Sequence, residues 1–354
     1  NTYEKIGLRA AVDLPSGCGD RSDTLQFYAD FSYATGIVKS PVLDGATKAG
    51  RVRFIDLGFF DFETVEDAKT RVVSSKVLDP FKKLRAPSSE KRDFGHLFIL
   101  GGSTSMPGAL LMSVMAAARS GVGRVTVFAP ESLVPSLSAQ VPEAMWVGCP
   151  ETSHGSIGLA SLSKLESMLG RATALMMGPG LGTDLEPAAL LKQIVERWDL
   201  PMLLDADALQ PAIVRCLKRQ NSETCPAILT PHAGEFMRIS ESASAEVSDA
   251  ALREFSERNG VCTVLKGTHT RICDGETVLY NTSGGPILSR GGSGDLLAGL
   301  IGGLLAKPGA DPLLVAAQGV YLHGSVADAW ARDKGQHFVR TTEWLEYLPQ
   351  VCRV

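Results

Sequence analysis

The residues best suited to chemistry lie in the heptapeptide Ser289-Arg290-Gly291-Gly292-Ser293-Gly294-Asp295, which runs directly into the apolar stretch 296–306. Glycines let consecutive backbone N–H groups turn inward without a Cβ clash. A helix starting where the loop ends adds four unpaired N–H groups and the positive end of its dipole. Such a loop is an anion cradle suited to phosphate. Asp295 is out of place in it, because a carboxylate repels the phosphate that the glycines attract. A proton acceptor for a hydroxyl attacking that phosphate would give it a purpose. A glycine turn whose aspartate merely caps the following helix explains it too, and the heptapeptide alone leaves both readings open.

Five further clusters each follow an expected strand. Gly101-Gly102-Ser103 with Met106-Pro107-Gly108-Ala109 permits close approach of a ligand to backbone, or makes a tight turn. Gly178-Pro179-Gly180-Leu181-Gly182 offers a second backbone-lined wall. Neither the G-x-G-x-x-G spacing nor the Walker spacing occurs, which disfavours both of those phosphate sites. Asp205 and Asp207 end a strand, where they hold water around Mg²⁺, hydrogen-bond a ligand, or cap a helix interrupted by Pro211. His232 and Glu235, in Thr230–Glu235, stand at a strand end beside Gly234, either touching a ligand or serving the fold. In Lys266-Gly267-Thr268-His269-Thr270 the lysine is a point charge for a nucleotide phosphate or a solvated side chain at a strand end.

The elements that must position these clusters alternate. From about Arg92 the pattern predicts strand 96–100, helix 108–120, strand 124–128, strand 174–177, helix 186–198 and strands 202–205 and 227–230. Helix 245–258, strand 261–266, a hairpin over 270–280 and helices 294–305 and 312–332 follow. Strands and helices at this spacing imply a parallel sheet covered on both faces, with ligands bound beyond the carboxyl ends of its strands. Two strand-like runs, 9–14 and 50–57, read as the closing part of another sheet. The charged stretch after it, with Pro80 and Pro87, reads as a helical or irregular linker. The expected division is therefore 1–60, a linker 61–91, and 92–354.

Composition narrows the partners. The net charge of −4 comes with scattered Lys and Arg, so no broad basic field exists for nucleic acid or an anionic membrane. Seven cysteines, an odd number without C-x-x-C spacing, point to free thiols in a reducing cytoplasm. Absence of H-x-x-x-H spacing disfavours a preformed transition-metal site. The longest apolar runs, 109–118 and 296–306, are too short to span a bilayer, and the first residues lack the pattern of a secretory signal.

Taken in order, the segments FGHLFILGGSTSMPGA, GPGLG, DADAL, LTPHAGEF, VLKGTHT and SRGGSGDLLAG resemble the ADP- or ATP-dependent NAD(P)H-hydrate dehydratases, a branch of the ribokinase-like superfamily. The resemblance covers residues 92–331. It implies a three-layer sandwich with a mainly parallel central sheet flanked by helices. It also implies dehydration of the S form of hydrated NADH or NADPH through phosphorylation of the ring hydroxyl by ADP or ATP with Mg²⁺. Asp295 would be the catalytic base. Lys266, Gly267, Thr268, His269, Thr270, Gly285, Gly291, Gly292, Ser293 and Gly294 would bind the nucleotide, and Ala109, Gly180, His232 and Asp295 the hydrated dinucleotide.

The first 60 residues, through AVDLPSG, Ala29-Asp30, Lys39 and Gly50–Gly58, resemble the closing part of an NAD(P)H-hydrate epimerase domain. This implies an incomplete Rossmann-like fragment, with Asp13 contacting the hydrated nucleotide and Ser16 a vestigial K⁺ ligand in a fragment without epimerase activity. A cytoplasmic homo-oligomer is expected. A ribokinase-like kinase of a vitamin precursor or sugar, and a non-catalytic nucleotide sensor, are the alternatives.

Overall fold

The computed structural model describes residues 7–19, 26–44, 46–60, 67–182, 184–217, 227–242 and 246–353. The first three strands, β1 (Ala10–Val12), β2 (Phe31–Thr35) and β3 (Arg51–Ile55), form a parallel sheet in the order β1-β2-β3. A small core of Ala34, Val42, Ala49 and Val52 supports it.

Among the described residues the larger sheet has ten strands. They are β4 (Thr70–Val72), β5 (His96–Leu100), β6 (Arg124–Pro130), β7 (Met145–Cys149), β8 (Ala174–Met177), β9 (Met202–Leu204), β10 (Ala227–Leu229), β11 (Val261–Leu265), β12 (Arg271–Cys273) and β13 (Val278–Tyr280). Their order is β4-β13-β12-β11-β10-β9-β8-β5-β6-β7, and only β12 runs against its neighbours. The central strands are almost wholly buried and mostly apolar because both faces are covered, with His96, Thr126 and Thr263 as buried polar exceptions. Phe98 and Leu100 of β5 point into a core completed by the helices Leu185–Arg197, Pro211–Leu217, Ala233–Ser240 and Asp249–Asn259. Leu97 and Ile99 point into the opposite core, under the helices Pro107–Arg119, Ser293–Leu305 and Pro312–Lys334. The three layers expected from the alternating pattern are present.

Three strands escape the sequence pattern. Thr70–Val72 lies in the stretch read as a linker, yet pairs in parallel with β13 at the sheet edge. Three residues beside charged neighbours carry no periodic signal, so only the waiting edge of β13 makes them a strand. Met145–Cys149 closes the opposite edge with one buried residue of five. Phe31–Thr35 pairs with both β1 and β3, and its two buried positions are the small Ser32 and Ala34, which give no apolar alternation to read. The helix expected from residue 245 starts at Asp249, where the Ser248 hydroxyl accepts the Ala251 N–H at 3.1 Å; Ala245 itself lies outside the described residues.

The helix 293–305 is positioned by its glycines. A Cβ at Gly299 would meet the Ser113 carbonyl oxygen at 2.1 Å, and one at Gly303 the Ser120 hydroxyl at 2.0 Å. These close approaches press the helix onto the 107–119 helix and fix its first turn over the sheet. Gly299→Val is expected to cost about 3 kcal/mol of unfolding free energy by overpacking, read from urea denaturation. A midpoint within error of wild type would remove the glycine from this role.

Candidate functional site

The carboxyl ends of β5, β8, β9, β10 and β11 lie side by side, because these strands are mutually parallel and adjacent. Each expected cluster follows one of them, so tertiary pairing gathers segments that are far apart in sequence. Gly178 shows why glycine is required at this edge. Its φ is 123°, and a Cβ would stand 1.8 Å from the Asp205 carbonyl oxygen.

Lys266 and Asp205 form the charged centre. Lys266 Nζ lies 3.0 Å from Asp205 Oδ1 and 3.8 Å from Glu235 Oε2, with the Asp205 side chain only 3 % exposed. Thr230 donates its hydroxyl to the same Asp205 oxygen at 2.7 Å. Burial works against charge on Lys266, but the carboxylates of Asp205 and Glu235 outweigh it and hold the ammonium above its ordinary range. The pair is thus an ion pair on a nearly dry floor, and its backbone is pinned by the Lys266 N–H donating to the Pro231 carbonyl at 2.8 Å.

His232 caps the helix 233–240. Its Nδ1 accepts the Glu235 N–H at 3.2 Å, and its own N–H donates to Glu235 Oε2 at 2.7 Å. A neutral imidazole with hydrogen on Nε2 satisfies this arrangement. His232 therefore serves the fold while its ring remains largely exposed to the site.

Asp295 sits in the first turn of the helix 293–305. Its pKa is pushed up to about 7, chiefly by burial and then by the nearby Asp205 carboxylate, with Lys266 opposing. This answers the weakness of a carboxylate with an ordinary pKa near 4 as a base at neutral pH. The preceding loop turns at Gly292, φ 85°, and is tied by Thr341, whose hydroxyl donates to the Gly291 carbonyl at 2.8 Å. No acceptor is found among the described residues for the N–H groups of Gly291, Gly292 and Gly294.

A cavity of about 910 Å³ opens over this edge. His232, Lys266, Gly267, Thr268, His269 and Thr270 line it. Gly285, Ser293 and Gly294 line it from the opposite side. Gly291 instead lines a shallower depression with Met112 and Thr341, and Gly292 packs on Met112. Ala109 and Gly180 come together away from this cavity, a Cβ at Gly180 falling 3.2 Å from that of Ala109. Ser16 lies in the turn after β1, its carbonyl accepting the Phe27 N–H at 2.9 Å, and is not among the cavity residues. Asp13 pairs with Lys39 at 2.5 Å.

Sequence reading leaves some residues of the site without a definite role and misses others. Glu235 and Asp205 were noticed but left without a definite role, since only the pairing of β9, β10 and β11 brings them to Lys266. His323 is buried under the loop, 3.5 Å from the Ser293 hydroxyl, and burial pulls its pKa down to about 4, so it is neutral. It sits mid-helix in an apolar run, where sequence carries no sign of a role. Arg9, Arg51 and Arg53 reach the cavity from the N-terminal sheet, an arrangement invisible before the two units are placed together.

Comparison with known proteins identifies the family. A family model described as NAD(P)H-hydrate dehydratase matches residues 97–350. The bifunctional NAD(P)H-hydrate repair enzyme Nnr of Moorella thermoacetica is 32% identical over 97% of this chain and 66% of its own length. The chain thus spans about two thirds of that relative. The ADP-dependent (S)-NAD(P)H-hydrate dehydratase of Xanthomonas campestris pv. campestris is 32% identical over 75% of this chain and 91% of its own. Among solved structures, the ADP/ATP-dependent NAD(P)H-hydrate dehydratase from Bacillus subtilis, co-crystallized with ATP/Mg²⁺, superposes with a TM-score of 0.68 at 28% identity, covering 80% of this chain and 98% of that one. A ribokinase-like superfamily protein from Enterococcus faecalis gives the same TM-score and identity over 80% of this chain and 96% of its own. The fold is ribokinase-like.

Proposed function

Because this chain belongs to the NAD(P)H-hydrate dehydratase family, we propose that it dehydrates the S form of NAD(P)H hydrate at the expense of ADP or ATP, with Asp295 as the base. The observation that carries the assignment of roles is the convergence of Lys266, Asp205 and Asp295 at one sheet edge, beside a helix N-terminus with unpartnered N–H groups. An anion cradle, a fixed cation and a carboxylate able to take a proton near neutrality are what phosphoryl transfer to a hydroxyl requires.

In this reading the nucleotide lies in the 910 Å³ cavity, its phosphates meeting Lys266–Thr270 and the loop 285–294. The ring hydroxyl of the dinucleotide approaches Asp295 from the side of Ala109 and Gly180. As the new O–P bond forms, the bond from phosphorus to the nucleotide breaks and the hydroxyl proton passes to Asp295. Phosphate then leaves with the C–O bonding electrons, and loss of the neighbouring ring proton restores the double bond. The N–H groups of the glycine loop hold the transferring oxygens, and the Lys266–Asp205 pair keeps the lysine from swinging away.

Among the described residues no group of three His, Cys, Asp or Glu side chains gathers to hold a metal. Asp205 and Asp207, which follow β9, are the carboxylates that would hold water around a Mg²⁺ ion, and the ion would neutralise charge on the transferring group. In this reading the sheet β1-β2-β3 belongs to an epimerase-like unit over 1–60, joined to the dehydratase unit 92–354 through 61–91, a stretch that also gives β4 to the larger sheet. The setting of this reading is the cytoplasm, as expected from seven cysteines without C-x-x-C spacing.

Purified protein given hydrated NADH with Mg²⁺ and either ADP or ATP is expected to regenerate the absorbance of reduced nicotinamide and release inorganic phosphate. Accumulation of a stable phosphorylated product with no recovered absorbance would instead assign a metabolite kinase.

A further inference from the structure

The N-terminal sheet does more than precede the dehydratase unit, because its third strand reaches into the cavity. Arg53 of β3 donates to the Thr282 carbonyl at 2.8 Å and the Gly284 carbonyl at 3.1 Å, and pairs with Asp328 at 2.7 Å. Asp328 in turn accepts the Gly284 N–H at 2.7 Å. The strand is therefore bolted to the loop that leads into 285–294.

Two residues earlier, Arg51 stands beside that loop. A Cβ built on Gly285 would lie 2.9 Å from Arg51 Nε. Its guanidinium lies over the Phe31 ring at 5.2 Å and donates to Gln336 Oε1 at 2.7 Å. Arg290, from the glycine loop, donates to the backbone oxygen of the same Gln336 at 2.8 Å. One neutral residue thus gathers two guanidiniums, and both line the 910 Å³ cavity.

Neither cation has a carboxylate partner among the described residues. The two acids whose charges bear on Arg51, Asp30 and Asp328, are already paired with Arg9 and Arg53. Two like charges held together on a neutral acceptor, at the wall of a cavity, form a site for an anion with several oxygens, which guanidinium forks bind in pairs.

We infer that Arg51 and Arg290 form a clamp for the polyphosphate of the nucleoside di- or triphosphate, so that the N-terminal sheet supplies half of a nucleotide contact in the dehydratase unit. The inference rests on the nucleotide reading of the cavity. It favours the nucleotide over the diphosphate of the hydrated dinucleotide because the clamp shares its cavity with Lys266–Thr270 and Gly285, whereas of the residues expected to hold the dinucleotide only His232 lines it and Ala109, Gly180 and Asp295 do not. Arg53 is a positioning residue for Arg51 and the loop.

Calorimetric titration of the full chain with MgADP, and separately with hydrated NADH, tests this. Arg51→Met is expected to weaken MgADP binding about tenfold and Arg51→Lys, which keeps the charge but loses the fork, about threefold, with the dinucleotide little affected. Wild-type affinity for MgADP in folded Arg51→Met overturns the clamp, as does a loss confined to the dinucleotide. Failure of the wild type itself to bind MgADP overturns the nucleotide reading instead. Should Arg51→Met not fold, Arg290→Met, on an exposed loop residue, carries the same tenfold expectation and the same refutation.

Discussion

Asp295→Asn is expected to lower turnover of hydrated NADH by about a thousandfold, the scale of losing a positioned general base, while MgADP still binds. The same substitution is expected to make the protein more stable. A carboxyl whose pKa is raised to about 7 in the folded chain, from an ordinary value near 4, favours folding less as it ionises. Between those values the folded state holds more protons than the unfolded one, so its stability falls as pH rises from about 4 to about 7. The penalty is complete above that window and absent below it. Asparagine removes the charge and the penalty together. The expected gain is about 1 to 2 kcal/mol at pH 8, less than the full shift would imply because Asp295 is only partly buried, and it should vanish at pH 4. Urea unfolding of both proteins at the two pH values measures it. The wild-type kcat/KM should fall below about pH 7 as Asp295 takes up its proton. Turnover by the variant near the wild-type rate would take the base role from Asp295. A gain in stability equal at pH 4 and pH 8 would show that ionisation of this group is not its source.

Lys266→Met carries the second large effect. It leaves Asp205, with its side chain 3 % exposed, supported only by the Thr230 hydroxyl and facing Glu235 without the cation between them. Removing one partner of a buried ion pair costs about 3 to 5 kcal/mol. The lower end applies here because Lys266 is 21 % exposed. MgADP affinity should fall at least tenfold in the same variant. Adding Asp205→Asn should return most of the stability, since the stranded charge is gone, but not the affinity, which needs the cation. A double variant as unstable as Lys266→Met alone would mean that packing of the lysine stem, and not charge pairing, holds this floor. Recovery of affinity in the double variant would remove Lys266 from nucleotide binding.

Much of the site's inventory was legible because each piece leaves a local signal. Glycines before a helix make a cradle, and the glycine at Gly178 is demanded by backbone approaching backbone. The first signal lies within a few residues of chain; in the second the glycine cluster 178–182 is legible, while its cause, the Asp205 carbonyl, comes from the next strand. The strands β5, β8, β9, β10 and β11 were legible for a related reason. Burial on both faces makes them mostly apolar, and a nearly continuous apolar run bounded by turns is readable without knowing its neighbours.

The edge strands show where that stops. Thr70–Val72 is a strand only because β13 offers it an unsatisfied row of N–H and C=O groups, and nothing in three residues announces a partner two hundred positions away. The role of His232 as a helix cap, and the burial of His323 beneath Ser293, are likewise set by neighbours.

By itself the sequence determined the layered fold, the chemistry of the cradle and the order of clusters along the strands, since periodicity and glycine spacing are local properties. Tertiary structure alone decided which charges meet. It set Asp205 between Lys266 and Thr230, lifted the pKa of Asp295 by burial beside that carboxylate, and brought Arg51 to Arg290 through Gln336. Electrostatic energy depends on distance and solvent access, and for residues far apart in the chain both exist only once the chain has folded.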